Sequence, residues 1–304
     1  MSHVGRRNQI GISIDTEGII EHQIPFLDCT LQERHTPIAD VQAKGRRDAE
    51  GGSPVEGKKW GDGKIDVVLD PITAPYWFAM ALGTITSTVP KTHVITQENL
   101  NEPLVAVIRR ERNVGDAIQF PNSVVDSLEL NFADDVAKLS VNLMSQFPTV
   151  DTFSPSEETS LQYYTFRNVV ATTAAGAIKV RELTLRIENG AEMVYAPGSN
   201  DVDRILWKSL RVSGSFKLLF ETETQKTAFH NLGKQALTLT FTGTEPASTI
   251  TITLPQIRVD NWTEEASIDD IAHEAIDFVA EYKTDKTIAV TVVNSVDEYE
   301  TVTS

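Results

Sequence analysis

The chain has 304 residues, of which 40% are hydrophobic and 23% charged, a composition that suits globular cores and excludes a disordered chain. Its 27 basic and 43 acidic residues give a formal net charge of −16, which argues against a surface built to bind nucleic acid or anionic lipid. The single cysteine, Cys29, excludes an internal disulfide and is expected to be a small buried apolar residue. No apolar run approaches the roughly 20 residues of a membrane-spanning helix, so no membrane association is expected.

The first long strand and the first helix are predicted side by side. Gly63–Asp70 reads as a strand, and Pro71 then begins a crowded apolar stretch that predicts a short helix. Thr73 is a plausible N-cap, and Gly83 follows the helix as a C-terminal glycine. We expect Trp77 to be buried under this helix.

The second half is dominated by strict alternation of apolar and polar residues. A second short helix is predicted where Thr222 and Gln225 have capping-box spacing and where Phe229 and Leu232 lie on one stripe before Gly233. Alternation with a period of two places one face in a core and the other in water. The clearest alternating strands are Leu183–Glu188, Leu237–Thr242 and Ile250–Leu254. The pattern predicts a mainly β fold: antiparallel sandwich or half-barrel units, each with one short flanking helix.

Several segments appear twice in the same order. Gly63–Asp70 resembles Gly214–Glu221, and both precede helices that end in Leu-Gly. A third match sets Ser127–Phe132 against Asp277–Tyr282, followed by residues 139–143 against 288–292. Tandem duplication of one β-rich unit is the simplest interpretation. The alternative is chance similarity, since strands use a small set of residue types.

The interruption between the two halves lies in residues 145–160, which contain two prolines and no strand alternation. We therefore expect an N-terminal arm over residues 1–20, a first β unit over 21–150 and a second β unit over 151–304.

Residues 43–63 contain six glycines, many charges and few core-forming residues. A connection of this length is unusual in a compact domain unless it is functional or mobile. It is either a solvated surface loop or an arm that docks on a neighbouring subunit. The candidate docking residues are Gly45, Arg46, Arg47, Asp48, Glu50, Gly51 and Gly52.

No catalytic residues, metal ligands or cofactor are predicted. Trp60–Asp66 imitates the middle of a calcium-binding loop, but Lys58 and Leu69 stand where acidic ligands are required. The six histidines have no zinc-site spacing, and no nucleophile elbow or phosphate-binding glycine loop occurs.

The ordered set of these elements resembles the duplicated tail tube proteins of tailed bacteriophages. The segments that carry the resemblance are Val55–Gly83, Tyr164–Val169, Val180–Tyr195, Val212–Phe216, Thr253–Pro255, Phe278–Tyr282 and Val293–Tyr299. The resemblance implies that strands of neighbouring units join into a continuous inner β-barrel. It also implies that rings of these units stack into the tail tube, the conduit for genome delivery.

The resemblance further implies partners and a location. Six units form a ring in this family, so a chain with two units would form a homotrimeric ring with pseudo-sixfold symmetry. If one unit is only decorative, the ring would be a hexamer. Stacked copies of the ring, tape-measure and tail-terminator proteins are the expected partners, in a virion tail assembled in the host cytoplasm. DNA is expected to pass through without specific binding, helped by a lumen that shares the chain's negative charge.

One alternative from another class remains open, a soluble carbohydrate-binding or adhesive β-sandwich module of a virion or cell surface. Such a module would need exposed rings among its tryptophans, Trp60, Trp77, Trp207 and Trp262. A hydrolase is disfavoured because no acid, base and nucleophile converge in the sequence.

Overall fold

A computed structural model describes residues 9–14, 22–38, 55–88, 91–99, 101–113, 116–133, 136–153, 155–156, 162–173, 176–220, 223–243, 248–265 and 272–299. In this part of the chain the fold is mainly β, with two α-helices and antiparallel pairing between the strands. The mainly β fold predicted from alternation is thus confirmed.

Twelve elements form the first half: β1 Ile10–Ser13, β2 His22–Ile24, β3 Asp28–Cys29, β4 Gln32–Ile38, β5 Val55–Val68, α1 Ala74–Leu82, β6 Gly83–Thr88, β7 Thr92–Gln97, β8 Ala106–Asn113, β9 Asp116–Phe132, β10 Lys138–Ser145 and β11 Thr149–Thr152. The second half opens with a 3₁₀ turn over Phe166–Asn168 and continues with β12 Val169–Thr173, β13 Gly176–Ile178, β14 Val180–Glu188, β15 Glu192–Tyr195, β16 Val202–Leu206, β17 Arg211–Leu219, α2 Thr224–His230, β18 Lys234–Thr242, β19 Thr249–Glu265, β20 His273–Ala280 and β21 Ala289–Val293.

The main layer is an open antiparallel sheet that spans both halves. Its order is β3 and β4 end to end, then β5, β10, β9, β14, β17, β20 and β19. We call this the main sheet. Apolar residues such as Leu128, Leu130 and Leu185 point to its buried face, while their neighbours in sequence point to the opposite, polar face.

A second layer packs on the buried face of the main sheet. One part of it has the order β2, β1, β8, β9, β11, and the other has the order β13, β12, β18, β19, β21, β7, β6. The strands β9 and β19, each 17 residues long, belong to both layers, as strands at the corners of a sandwich do. The remaining strands, β15 and β16, pair only with each other among the described strands.

The two halves have the same pairing scheme. In the first half β1 pairs with β2 and β8, β9 with β8, β10 and β11, and β5 with β10 and β4. In the second half β12 pairs with β13 and β18, β19 with β18, β20 and β21, and β17 with β20 and β14. Each strand of one series therefore has one counterpart in the other, and the β6–β7 hairpin is an addition to the first half.

The hydrophobic core runs through both halves. A single cluster of buried side chains extends from Ile10 to Tyr299, and a smaller cluster lies beside the β15–β16 ribbon. Helix α1 lies inside the large cluster with all nine residues buried, and Trp77 is fully buried as predicted. Thr73 takes the N-cap position, but the capping acceptor is Asp70, whose Oδ1 accepts from the backbone N–H of Ile72 and Thr73.

Helix α2 differs from its prediction. It begins at Thr224 with Glu223 as N-cap, and Thr222 lies outside the described residues. Gln225 is buried, and its Oε1 accepts a hydrogen bond from Nε2 of Gln235 on β18. Leu232 is 68% exposed, so the predicted apolar stripe that included it was wrong. The chain turns out of the helix before that residue, which has a positive φ of 50°.

The third sequence match joins strands that occupy different positions in the two pairing schemes. Ser127–Phe132 lies in β9, whereas Asp277 lies in β20, the counterpart of β10. The extra β6–β7 hairpin changes the spacing between equivalent strands, so one constant offset fails beyond α1. The first match, between Gly63–Asp70 and Gly214–Glu221, does join counterparts, β5 and β17.

Part of the predicted N-terminal arm belongs to the sheet. Ile10–Ser13 forms β1, which pairs with β2 and β8, and Ile10 and Ile12 are fully buried. Other residues of the predicted arm, 1–8 and 15–20, lie outside the described residues.

Candidate assembly surface

The polar face of the main sheet carries charges of both signs. Opposite charges lie side by side on this face, either within one strand or on different strands, so that much of this charge is paired. The ion pairs are Arg34–Asp62 at 2.8 Å, Lys64–Asp66 at 3.0 Å, Arg186–Glu188 at 3.1 Å and Lys217–Glu265 at 2.5 Å. Such exposed pairs contribute about 0–1 kcal/mol each to the free energy of folding. Their main effect is therefore on the electrostatic potential at this face.

The main sheet has two open edges. One edge is formed by β3 and β4, whose described partners lie only on the β5 side. The other is the C-terminal part of β19, which pairs with β20 on one side, while the pairing with β18 on the other side reaches no further than Arg258. Open edges present unpaired backbone groups and are natural sites for association with another strand.

The junction between the halves shows how such edges are filled. Within the chain, β9 pairs with β14, and Glu129 lies opposite Arg186. Beside this junction, Asn189 donates from Nδ2 to the carbonyls of Val125 on β9 and Ala81 on α1, at 3.1 and 2.9 Å. Asn189 is buried, and it fixes the end of the junction to the helix that covers it. We call this junction the intrachain seam.

The open end of β19 carries an acidic group on the side that faces the core. Glu274 of β20 is 3% exposed and lies opposite Glu264 in the β19–β20 pairing. Burial raises the pKa of Glu274 above its usual range, the charge of Glu264 adds to this rise, and a hydrogen bond from Trp262 Nε1 at 2.9 Å opposes it. Lys226 of α2 lies over the ring of Trp262 at 5.3 Å.

Cys29 lies on the opposite edge, in β3. It is partly buried, and burial raises the pKa of its thiol, which makes it less reactive than an ordinary cysteine at neutral pH. The predicted docking residues, Gly45, Arg46, Arg47, Asp48, Glu50, Gly51 and Gly52, all lie outside the described residues. The strand ends on either side of that connection, Ile38 and Val55, lie opposite each other and are exposed.

The described residues contain no group of three His, Cys, Asp or Glu side chains that could hold a metal ion. A cleft of about 150 Å³ lies between the end of α1, Trp207 and Leu210. Its volume is well below the roughly 300 Å³ at which small-molecule sites begin. None of the helices in the described part of the chain is long and apolar enough to cross a membrane.

The tryptophan rings give no support to the carbohydrate-binding alternative, which needs exposed rings. Trp77 and Trp207 are buried, and Trp60 and Trp262 are partly buried. The last two also donate hydrogen bonds from Nε1 to carboxylates, Trp60 to Asp62 and Trp262 to Glu274.

Comparisons with known proteins identify the family of this chain. A search of curated proteins gave no match. A family model described as phage tail tube protein matches residues 34–292, which is most of the chain and includes both halves of the main sheet. The sequence-based resemblance is thereby confirmed, and the family implies a structural, non-enzymatic component of a virion tail. The chain belongs to the phage tail tube protein family.

Proposed function

We propose that this chain polymerises as stacked rings into the tail tube of a phage and forms the conduit for genome delivery. The observation that carries the proposal is the main sheet, which has two open edges and a polar face that the described residues cover only at the end where the β15–β16 ribbon packs. A sheet of this kind closes into a cylinder when copies join edge to edge, and closure removes the exposed edges. Assembly would take place in the host cytoplasm before the tube enters the virion tail.

We infer that the chain contains two equivalent β units in tandem, so that each copy would contribute two units to the ring. The matching pairing schemes support this, with the boundary between Thr152 and Val169, next to the predicted interruption at 145–160. The register between neighbouring strands also supports a tandem duplication. In β10 Leu143 lies opposite Gly63 of β5, and in β20 Phe278 lies opposite Gly214 of β17.

Two further details of the backbone repeat. A Cβ added to Gly63 would meet the backbone of Thr30 and Leu31, and one added to Gly214 would meet the backbone of Thr184. The counterparts thus need glycine for the same close approach of a neighbouring strand. In addition, β9 and β19 each have a register shift at an aspartate, Asp126 and Asp260.

Three copies would close the ring with pseudo-sixfold symmetry. With eight strands from each copy, the barrel would have 24 strands and measure about 37 Å across, or more if the strands tilt. The polar face would line the lumen, because the second layer and the helices need the longer outer circumference. A hexamer of chains would instead need 48 strands in one ring.

The lumen of this ring would be mixed in charge rather than uniformly acidic. The ion pairs on the polar face hold acids next to bases, so the repulsion of DNA phosphates there is weaker than the net charge of −16 implies. Paired charges also leave few free cations to bind phosphate. DNA would therefore pass without specific binding because the wall is neutralised locally.

Contacts between rings would come from the ends of the strands. The exposed pair Ile38 and Val55 lies at the base of residues 39–54, which include the predicted docking residues. A segment of this kind, next to exposed apolar side chains, suits contact with the next ring. Tape-measure and tail-terminator proteins would be the further partners inside and at the end of the tube.

Electron microscopy of the concentrated purified protein tests the proposal. We expect hollow tubes whose rings average to three chains, with mass photometry of short assemblies giving multiples of three. Rings of six chains would contradict the trimer. A protein that stays monomeric at all concentrations and salt conditions would contradict the function itself.

A further inference from the structure

We propose that the ring closes by pairing Thr30–Arg34 of one copy with Asn261–Glu265 of the next, antiparallel, with Gln32 opposite Thr263. We call this pairing the interchain seam. The inference rests on the proposed ring and adds the strand edges and the register that hold it together. It follows from the intrachain seam, in which the chain already makes the same junction once.

The intrachain seam supplies the template. Six consecutive residues of β9, Ser127–Phe132, pair with Leu183–Glu188 of β14. Within this stretch Glu129 lies opposite Arg186. If the two halves are equivalent, the counterparts of these strands face each other in the same register when one copy follows another around the ring.

The residue of β19 that corresponds to Glu129 of β9 is found through the neighbouring strands β10 and β20. In the first half Val141 of β10 lies opposite Leu128 of β9. In the second half Ile276, the counterpart of Val141, lies opposite Trp262 of β19. Both β9 and β19 shift register by one residue immediately before this point, which fixes the correspondence without ambiguity. The counterpart of Glu129 is therefore Thr263.

The residue of β4 that corresponds to Arg186 of β14 is found through the neighbouring strands β5 and β17. Arg186 of β14 lies opposite Ser213, the residue before Gly214. Gln32 of β4 lies opposite Asp62, the residue before Gly63. Because the two glycines are counterparts, Gln32 is the counterpart of Arg186.

Both edges lack a described partner strand over the residues proposed to pair, and the structure indicates where the pairing should end. The pairing of β18 with β19 stops at Arg258, so Asn261–Glu265 lacks a described partner on that side. On the other edge β4 shifts register after His35, and Pro37 has no N–H to donate. In the intrachain seam the N–H of Ala191 donates to the side chain of the shifted Asp126, a contact that Pro37 cannot copy. The interchain seam is therefore expected to end at Arg34.

Disulfide trapping tests the register. Opposite Cα atoms in antiparallel strands lie about 4.5–5.5 Å apart, within the range that a disulfide spans. Cys29→Ala provides a background without thiols, and Gln32→Cys with Thr263→Cys provides the in-register pair. Both side chains are exposed, so the changes are compatible with the fold. Within one chain these residues lie on opposite edges of the main sheet, so a disulfide forms only between copies.

Two matched controls displace the second cysteine by two residues in either direction, Gln32→Cys with Asn261→Cys and Gln32→Cys with Glu265→Cys. Diagonal neighbours lie about 7–8 Å apart, beyond the reach of a disulfide. Under mild oxidation of assembled tubes we expect covalent dimers and trimers from the in-register variant and at least tenfold less product from the controls. A mixture of Gln32→Cys and Thr263→Cys single variants should stop at dimers.

The outcomes separate the two proposals. Tubes that form normally but link best through a displaced pair, or through none, overturn this register and leave the tube function in place. The absence of both tubes and links in every variant, with an unassembled parent protein, overturns the ring and the seam together.

Discussion

The intrachain and interchain seams use equivalent strands but different side chains. On the core side of the intrachain seam Leu128 and Leu130 meet Ile187 and Leu185, and all four are fully buried. Their counterparts on the proposed interchain seam are Trp262, Glu264, Glu33 and Leu31. The intrachain seam forms during folding and is not exposed afterwards, so its core side can be apolar. The other must stay open in the free subunit, and exposed apolar edges would lead to uncontrolled association.

The same contrast continues behind the seam. Leu139 of β10 packs beside Leu130 in the first half, whereas Glu274 and Glu264 occupy the corresponding places in the second half. Two neighbouring carboxylates cost free energy when they are buried together. The intrachain seam is thus apolar, whereas acids lie at the edge where we propose the interchain seam.

We expect the largest effect from a change in the connection between β4 and β5. The corresponding connection in the second half joins β14 to β17 and contains the β15–β16 ribbon. Deletion of Gly45–Ser53 should leave a folded, soluble protein that no longer forms long tubes, because ring stacking loses its docking segment. Circular dichroism and thermal unfolding report the fold, and electron microscopy reports tube length. A variant with a Gly-Ser linker of equal length separates the role of sequence from that of length. Tubes of normal length from the deletion variant would contradict the assignment.

A matched pair of alanine substitutions sharpens the comparison of the seams. Leu130→Ala should lower the free energy of unfolding by about 2–5 kcal/mol, because it opens a cavity in the core. Glu264→Ala, at the equivalent position, should change it by about 0.5 kcal/mol or less, because this side chain is exposed in the free subunit. Urea unfolding of the unassembled protein measures both values. Equal losses would mean that the two strands are not in equivalent surroundings.

The sequence predicted the local elements well. Alternation located Leu183–Glu188, Leu237–Thr242 and the start of β19 at Ile250–Leu254. In a half-buried strand, successive side chains point alternately to the core and to water, so apolar and polar residues alternate in the sequence. The crowded apolar stretch after Pro71 located α1, because only a helix buried on all sides tolerates it.

Long-range features were harder to predict. Alternation does not show that β9 and β19 change layers, because the register shifts at Asp126 and Asp260 depend on the partner strands. The β6–β7 hairpin lengthens the first half, so the third sequence match, made at a nearly constant offset, joins strands that pair differently. A better signal was present in the dipeptide Thr30-Leu31, which recurs as Thr184-Leu185 beside the two glycines. The open edges themselves were not predictable, since an edge is a strand without a neighbour.

Rebuilding the interchain seam with the intrachain residues should strengthen assembly. Glu33→Ile combined with Glu264→Leu copies Ile187 and Leu130. Burial of an additional apolar side chain contributes about 1.5–3 kcal/mol, so the critical concentration for tube formation should fall at least tenfold. Sedimentation of tubes at a series of protein concentrations measures it. Replacement of both residues by glutamine is the control that removes charge without adding apolar surface, and a rebuilt seam that assembles no better than this control would contradict the proposed contacts.

Glu274 should make assembly depend on pH. Its pKa is raised by burial and by Glu264 in the free subunit, and closure of the proposed seam brings Glu33 of the next copy near both carboxyls while excluding water. A carboxyl whose pKa rises further on assembly takes up a proton, so assembly should strengthen as pH falls from 7 towards 5.5 and weaken as pH rises. Among the described residues, other basic side chains in this region are Lys226, whose ammonium lies over Trp262, and Arg181, which contacts the ring of His273.

Glu274→Gln should remove much of this dependence. The variant is expected to assemble a few-fold better at pH 7, to keep its level at pH 5.5 and to raise the melting temperature of the free subunit by a few degrees at pH 7. Glu192→Gln, an exposed residue of the β15–β16 ribbon, is the matched control and should keep the profile of the parent protein. An unchanged profile in Glu274→Gln would contradict Glu274 as the source of the pH dependence.

The smallest effect is expected from salt. Each chain carries −16, and copies that approach edge to edge repel one another beyond the range of their ion pairs. The Debye length falls from about 30 Å at 0.01 M salt to about 8 Å at 0.15 M, so the rate of polymerisation should rise a few-fold over this interval. Initial rates from light scattering measure it. Glu33→Gln with Glu264→Gln removes acids at the interchain seam itself and should flatten the response, whereas Glu192→Gln, one acid away from the seam, should flatten it less. A rate that falls with added salt would mean that attraction between opposite charges, rather than repulsion of like charges, governs the approach of the two edges.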